Sequence, residues 1–295
     1  MKKPKFYMLV GLSGSGKSSY NFGEEIIKIS SVALRAELYG DENDQTHNSE
    51  IFNELHRRVI KHLKNGDSVV YDATNLSRRR RVAFLNNIKH IDCEKECIFF
   101  ATPFEECVKR DSLRTRTVGR EVIFKQVKHF QMPQFEEGWN DISVITVEND
   151  KKTNLPDLLH EAYFVEHDNP HHLESIGHHL AMTYNLSAEN RDKLYLMTAT
   201  LYHDIGKIFT KVFYNSKGEE TDIAHFYGHE KVSAYLFATS HQFTPDIISL
   251  KIVWLIENHM RPYFQGYEKW KEKQDKDLIK DLERLHEYDK LARLT

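Results

Sequence analysis

Apolar and polar positions along this 295-residue chain follow two different rhythms. Up to about residue 147, short apolar runs recur between helical stretches. Runs at 6–10, 25–31, 68–71, 97–102 and 142–147 read as strands, and the segments at 33–39, at about 48–64, after Ser77 and after Pro103 read as helices. Apolar runs without alternation suit a parallel sheet covered on both faces. Strand and helix taking turns in this way predict a doubly wound parallel α/β sheet. Later in the chain the apolar period becomes helical, over roughly 171–184, 188–204, 225–239, 245–260 and 275–293, with Gly and Pro between the segments. No strand alternation of any length interrupts them, so the second half reads as an all-α helical bundle. The polar, proline-containing run 148–157 reads as the linker, giving domains 1–150 and 158–295.

Chemistry enters at the first strand-to-helix turn, where residues 11–19 read GLSGSGKSS. This is a P-loop. Gly11, Ser13, Gly14, Ser15 and Gly16 let backbone amides turn inward around phosphates, and Lys17 reaches the β and γ phosphates. Ser18, followed by Ser19, can ligate Mg2+, so ATP and Mg2+ are the expected ligands. Asp72, at the carboxyl end of a strand where parallel sheets bind their ligands, can hold the magnesium shell. Arg110, Arg114 and Arg116, followed by Gly119, read as a lid that closes on ATP phosphates, the alternative being ordinary surface charge. Arg78 to Arg81 read as either a solvated face or an RNA-phosphate contact.

Histidine marks the second half, which holds 12 of the chain's 17. His203 and Asp204 are adjacent in the stretch YHDIGK. Together with His179, His229, His259 and Asp289 they lie on successive predicted helices, and such scattered ligands can meet in a bundle core. Asp204 could bridge two ions. Mixed His and Asp ligation suits Mn2+, Fe, Co2+, Ni2+ or Zn2+ better than Mg2+. A pair of such ions makes hydrolysis of a phosphomonoester or phosphodiester the natural chemistry. Lys207, just past Gly206, is placed to reach phosphate oxygens. His172 precedes His179 by seven residues and His225 precedes His229 by four, which makes both candidates for phosphate contact or leaving-group protonation. His171, His178, His241 and His286 read as ordinary surface or core residues.

Charge narrows the partners. The net charge is −3, divided as +1 over residues 1–150 and −4 over the remainder, so neither half is polybasic and any nucleic-acid contact must be local to a site. No apolar run approaches the length of about 18 residues that a membrane helix needs, and the amino terminus leads straight into the P-loop, so the expectation is a cytoplasmic protein with no membrane partner. Cys93, Cys97 and Cys107 lack a CxxC spacing and read as reduced thiols.

Two resemblances follow from these motifs. Residues 160–293 resemble the HD-domain metal phosphohydrolases through GHHLAM around His179, YHDIGK, HFYGHE with His229, IENHM with His259 and EYDKLAR with Asp289. The resemblance implies that His179, His203, Asp204 and Asp289 hold one ion and Asp204, His229 and His259 the second. Residues 4–145 resemble the polynucleotide 5′-hydroxyl kinase branch of the P-loop phosphotransferases. The matching pieces are GLSGSGKSS, the ISS..LR stretch ending in Arg35, YDATN, the RDSLRTR lid with Arg110 and Arg114, and MPQFEEGW at 132–139. In that family an aspartate three residues before the arginine is the general base. Here the position is Val32, and Asp72 is the nearest substitute. A kinase-like half fused to an HD half resembles RNA end-healing enzymes, in which one domain phosphorylates 5′-hydroxyl ends and the other removes a 2′,3′-cyclic phosphate or 3′-phosphate. RNA or DNA ends and ATP are then the expected partners. The rival readings are an HD hydrolase of free nucleotides with an ATP-sensing P-loop half, a catalytically inactive RNA-end-binding protein, and a small-molecule kinase of the toxin type, which EEGW and the lid disfavour.

Overall fold

A computed structural model describes residues 3–170 and 174–293. His171 and His172 therefore lie outside the described residues. The chain divides into two compact units, one formed by residues up to 126 together with 133–148, the other by 127–132 together with 149–295.

The first unit alternates strand and helix in chain order: β1 (Lys5–Val10), β2 (Ile27–Ser30), α1 (Ser31–Tyr39), α2 (Asn48–Lys64), β3 (Val69–Asp72), α3 (Arg78–Asn87), β4 (Glu94–Ala101), α4 (Phe104–Ser112), α5 (Arg120–Val127) and β5 (Asp141–Thr146). All strand pairs are parallel, in the order β2-β3-β1-β4-β5. Leu9, Val70, Ile98 and Phe100 form one buried cluster within this sheet. Because β3 and β4 flank β1 on opposite sides, the turn after β1 sits where the chain reverses direction across the sheet, the position at which such folds open a ligand crevice.

Two expectations for this unit change. The arginine run is only partly solvated: Arg81 is buried and its Nε and Nη2 donate to Glu137 Oε2 and Oε1 at 2.8 and 2.6 Å, while Trp139 Nε1 donates to Glu137 at 3.2 Å. EEGW thus serves to satisfy a buried guanidinium, and breaking such a pair costs about 3–5 kcal/mol. The P-loop also leads into no α-helix. Lys17–Ser19 forms one 3-10 turn, after which the chain runs irregularly through Gly23, at φ +88°, to β2.

The second unit contains α6 (Leu155–Ala162), α7 (Ile176–Glu189), α8 (Leu194–Tyr202), α9 (Lys207–Thr210), β6 (Val212–Tyr214), β7 (Glu220–His225), α10 (His229–Ala238), α11 (Ile247–Asn258), α12 (Tyr267–Lys271) and α13 (Lys276–Leu291). It is the expected helical bundle, with one unforeseen insertion: β6 and β7 form an antiparallel hairpin. β6 has three residues and β7, ETDIAH, is mostly polar, so the turn residues Asn215 to Gly218, with Gly218 at φ +82°, are the hairpin's clearest mark. The stretch expected to be a linker is structured as well. Residues Asn149–Lys151 form a 3-10 turn, and the Asn154 side chain accepts from Asp157 N to start α6. Residues 127–132 belong with this unit, where Met132 N donates to the buried Glu257 carboxylate at 2.9 Å. Among the described residues no helix is long and apolar enough to cross a membrane, and Cys93, Cys97 and Cys107 are buried.

Candidate metal centre and nucleotide cleft

Helix ends build the centre of the second unit. His203 directly follows α8, His259 directly follows α11, and His229 is the first residue of α10. The last carbonyls of a helix have no intrahelical donor. His203 Nδ1 takes up Thr200 O at 2.8 Å and His259 Nδ1 takes up Ile256 O at 2.8 Å. His229 Nδ1 pairs in the same way with Phe226 O, at 2.7 Å. A carbonyl oxygen only accepts, so each Nδ1 donates and each Nε2 is turned inward, the orientation that backbone carbonyls impose on metal-binding histidines.

These nitrogens converge on Asp204. Its Oδ1 lies 3.0 Å from His229 Nε2 and 3.2 Å from His259 Nε2, and the two Nε2 atoms are themselves 3.2 Å apart. Its Oδ2 lies 3.5 Å from His203 Nε2 and 3.6 Å from His179 Nε2, and His179 Nε2 is 3.1 Å from Asp289 Oδ1. Two sets result, His179, His203, Asp204 and Asp289 in one, and Asp204, His229 and His259 in the other, each with its donor atoms within 4.8 Å of one another and all residues buried. Burial would push the Asp204 and Asp289 carboxyls up, but Lys207 and the histidines around Asp204, and His179 and His203 beside Asp289, hold both well below the usual carboxylate range. Burial pushes the His259 imidazole down, so it is a neutral donor.

The residues fit divalent cations. His203 Nε2, Asp204 Oδ1 and Asp289 Oδ1 are buried without a hydrogen-bond partner. Lone pairs facing one another out of water are costly unless a cation lies among them. Lys207, the first residue of α9, places its ammonium 2.6 Å from Asp204 Oδ2.

Not every candidate joins this centre. His225 ends β7 with its ring stacked on Tyr227 and belongs to neither set. His172 lies outside the described residues. Several contributors escaped the sequence reading. Tyr263 Oη donates to Asp289 at 2.8 Å, Arg293 Nη2 donates to the same carboxylate at 2.5 Å, and Glu174 lies 3.5 Å from His179 Nδ1. His167 is buried against the His179 ring, with Nε2 3.3 Å from Lys207 Nζ. Arg293 stands one helical turn after Asp289, a spacing that could have found it. Nothing local marks His167 or Tyr263.

In the first unit a cleft of about 580 Å³ opens beside the P-loop, with Ser18, Ser19, Asp72, Val32, Arg114 and Arg116 among its lining residues. Gly14 sits at φ +80°, where an added Cβ would lie 2.2 Å from the Cys107 carbonyl oxygen, so the loop is seated against α4. Lys17 Nζ folds back onto Gly11 O, Leu12 O and Ser15 Oγ at 2.9, 2.6 and 3.2 Å. Burial pushes its ammonium down to about 8. Ser13 N donates to Gln126 Oε1, and Arg110 lies beside Gly16 while pairing with Glu106. Arg114 and Arg116 follow the end of α4 instead of lying on a helix. Arg35, the end of the ISS..LR stretch, is buried and donates to Ser31 O and Asn48 Oδ1 at 3.1 and 2.7 Å, bracing α1 against α2.

Comparison with known proteins agrees with this division. Residues 6–133 match the AAA domain family and residues 172–294 match the HD domain family. An L-seryl-tRNA(Sec) kinase of Methanococcus maripaludis is 27% identical over 161 residues, and the match spans 52% of this chain and 63% of that relative. A chain of the Pnkp1/Rnl/Hen1 RNA repair complex shows 27% identity over 44% of each chain, with a TM-score of 0.37. A fungal RNA kinase shows 12% identity over 50% of this chain and 39% of that one, with a TM-score of 0.38. A P-loop kinase-type domain is thus followed in this chain by an HD domain.

Proposed function

We propose that the pairing of a P-loop kinase-type domain with an HD domain makes this chain a cytoplasmic RNA-end-healing protein, its HD half a two-metal hydrolase of 2′,3′-cyclic phosphate or 3′-phosphate ends. Its P-loop half holds ATP and is a 5′-hydroxyl kinase weakened at Val32. The observation that carries the hydrolase reading is the convergence of two ligand sets on Asp204, one carboxylate oxygen facing each. His179, His203, Asp204 and Asp289 would hold one ion and Asp204, His229 and His259 the other. A bound pair of Mn2+, Co2+, Ni2+, Fe or Zn2+ ions supplies an acidified water and a clamp on phosphate oxygens. Around it, the backbone carbonyls of Thr200, Phe226 and Ile256 keep the Nε2 atoms inward, and Tyr263 and Arg293 fix the Asp289 carboxylate. Lys207 faces the shared aspartate with a cation able to meet a phosphate oxygen.

RNA is favoured over free nucleotides by the kinase-like motifs in the same chain and by a relative named as a kinase of L-seryl-tRNA(Sec). The test offers the purified chain RNA ending in 2′,3′-cyclic phosphate or 3′-phosphate beside a panel of nucleoside phosphates, with Mn2+, Co2+ or Ni2+. Hydrolysis of RNA ends is the expected result. Hydrolysis of nucleotides alone would reject the RNA reading, and a protein that binds no metal and cleaves nothing would be an end-binding module.

Two further results are expected. Gly206→Ala would drive a Cβ to 2.5 Å from His229 O and 2.7 Å from Ser233 N, both backbone atoms of α10. It should destabilise the bundle by about 1–3 kcal/mol and weaken the ion that His229 holds more than the other, read by melting and metal titration. In the free P-loop half, Lys17 loses its proton above about pH 8, and phosphate contact favours the charged form. ATP affinity should therefore hold below that pH and fall above it, by at most about tenfold per pH unit, measurable as Kd from pH 7 to 9.5.

A further inference from the structure

The place a P-loop kinase reserves for its divalent ion is already taken in this chain. Ser18 Oγ stands 3.3 Å from Asp72 Oδ2, the hydroxyl and carboxylate expected to share that ion. The same Asp72 oxygen carries the Lys28 ammonium at 3.3 Å, and Lys28 Nζ also donates to Ser18 O at 2.8 Å and reaches Lys17 O at 3.5 Å. Mg2+ demands near-ideal octahedral geometry at about 2.0–2.1 Å and gives up its waters reluctantly. A carboxylate oxygen already capped by an ammonium is not an open ligand for it, so Ser18 and Asp72 do not fit Mg2+ as they stand.

The truncated helix explains why a lysine is there. With only a 3-10 turn after the P-loop, Tyr20 N covers the Lys17 carbonyl at 3.3 Å and the chain then leaves the helical path, so Lys28 supplies the donor to Ser18 O. The site has also lost the helix N-terminus that lends partial positive charge to bound phosphate. Parallel pairing of β2 with β3, Ser30 beside Asp72, puts Lys28 two residues earlier on the same face of the edge strand. Lys28 and Ser30 both line the cleft, with Arg114 and Arg116.

We infer that Lys28 serves as a built-in cation for the nucleotide phosphates, so that this half binds ATP without a divalent metal. The inference rests on the reading of the cleft as an ATP site. Lys28 bridges Asp72 and the P-loop backbone as a metal would, and its longest contact, 3.5 Å to Lys17 O, is the donor it can turn to a phosphate oxygen. Slow phosphoryl transfer follows, because one ammonium does not match the charge a divalent ion places between the β and γ phosphates.

Calorimetric titration of ATP into the whole chain tests this, in EDTA and in Mg2+. The native protein should bind with affinities within about threefold of each other in the two buffers, a difference under 1 kcal/mol. Lys28→Gln keeps an amide donor for Ser18 O but loses the charge, and should weaken metal-free binding by about tenfold or more, as expected for loss of a charge-assisted contact, with recovery in Mg2+. Lys28→Arg should retain metal-free binding. Native binding that requires Mg2+, or a Lys28→Gln variant that binds in EDTA as the native chain does, would overturn the inference. Absence of ATP binding in both buffers would instead remove the ATP reading of the cleft.

Discussion

Asp204→Asn is expected to leave the second unit folded and to lower phosphoester hydrolysis by at least about a thousandfold, the loss that several kcal/mol of metal-derived stabilisation corresponds to. Asp204 is the only residue common to both ligand sets. Removing its charge leaves His229 and His259 as a bare imidazole pair and takes one donor from the other set. Asparagine is preferred to alanine because the Lys207 ammonium is buried 2.6 Å from Asp204 Oδ2 and keeps an oxygen partner in the amide. Truncation to alanine would strand it, at a cost of about 3–5 kcal/mol. His259→Ala touches one set only. Elemental analysis should find two ions per native chain, one in His259→Ala and fewer than one in Asp204→Asn. Equal metal content in all three would end the shared-carboxylate reading, whatever the rates.

The parts of this site that were legible in the sequence share a property: their chemistry is written in adjacent residues or in helix spacing. GLSGSGKSS is contiguous, and His203 with Asp204 is a dipeptide. His259 falls at the end of a strongly apolar helix, α11, buried from Leu250 to Asn258 except at Lys251, and the period of that helix shows about where it ends. What was not legible depends on meetings across the chain. Arg35 matched a kinase motif by position, yet Asn48, 13 residues on, draws it into the α1 and α2 contact. The arginine run read as either a solvated face or an RNA-phosphate contact because Glu137, 56 residues beyond Arg81, could not be foreseen as a partner. His167 lies in an irregular stretch, where no period indicates which way a side chain turns. The hairpin of β6 and β7 falls in the stretch between two expected helices, where β6 has three residues and β7 carries few apolar ones to mark a strand. Lys28 is the sharpest case. Gly23, five residues past Ser18, marks a short helix after the P-loop, but nothing local ties that shortening to Lys28.

Val32→Asp combined with Lys28→Gln is expected to raise Mg2+-dependent phosphorylation of a 5′-hydroxyl RNA end by about 10²–10⁴-fold over the native chain, the usual worth of a positioned general base. Val32 lines the cleft near the amino end of α1, where the Ser30 side chain accepts from Val32 N. That first turn holds no acidic residue. A carboxylate there is favoured by the helix dipole by about 0.3–1 kcal/mol, and the half-buried valine leaves room for it without opening a core cavity. The base alone should give less than the pair, because with Lys28 in place Asp72 still has its ammonium and the divalent ion has no free ligands. Lys28→Gln alone should give little, since the acceptor hydroxyl then has an ion nearby but nothing to take its proton. The two changes should therefore be more than additive, as expected of groups that act on one transferred phosphoryl. Transfer of γ-phosphate from labelled ATP to the RNA end reads all four proteins on one scale. A gain absent from both Val32→Asp proteins would place the acceptor away from α1 and leave the first unit as a nucleotide holder only.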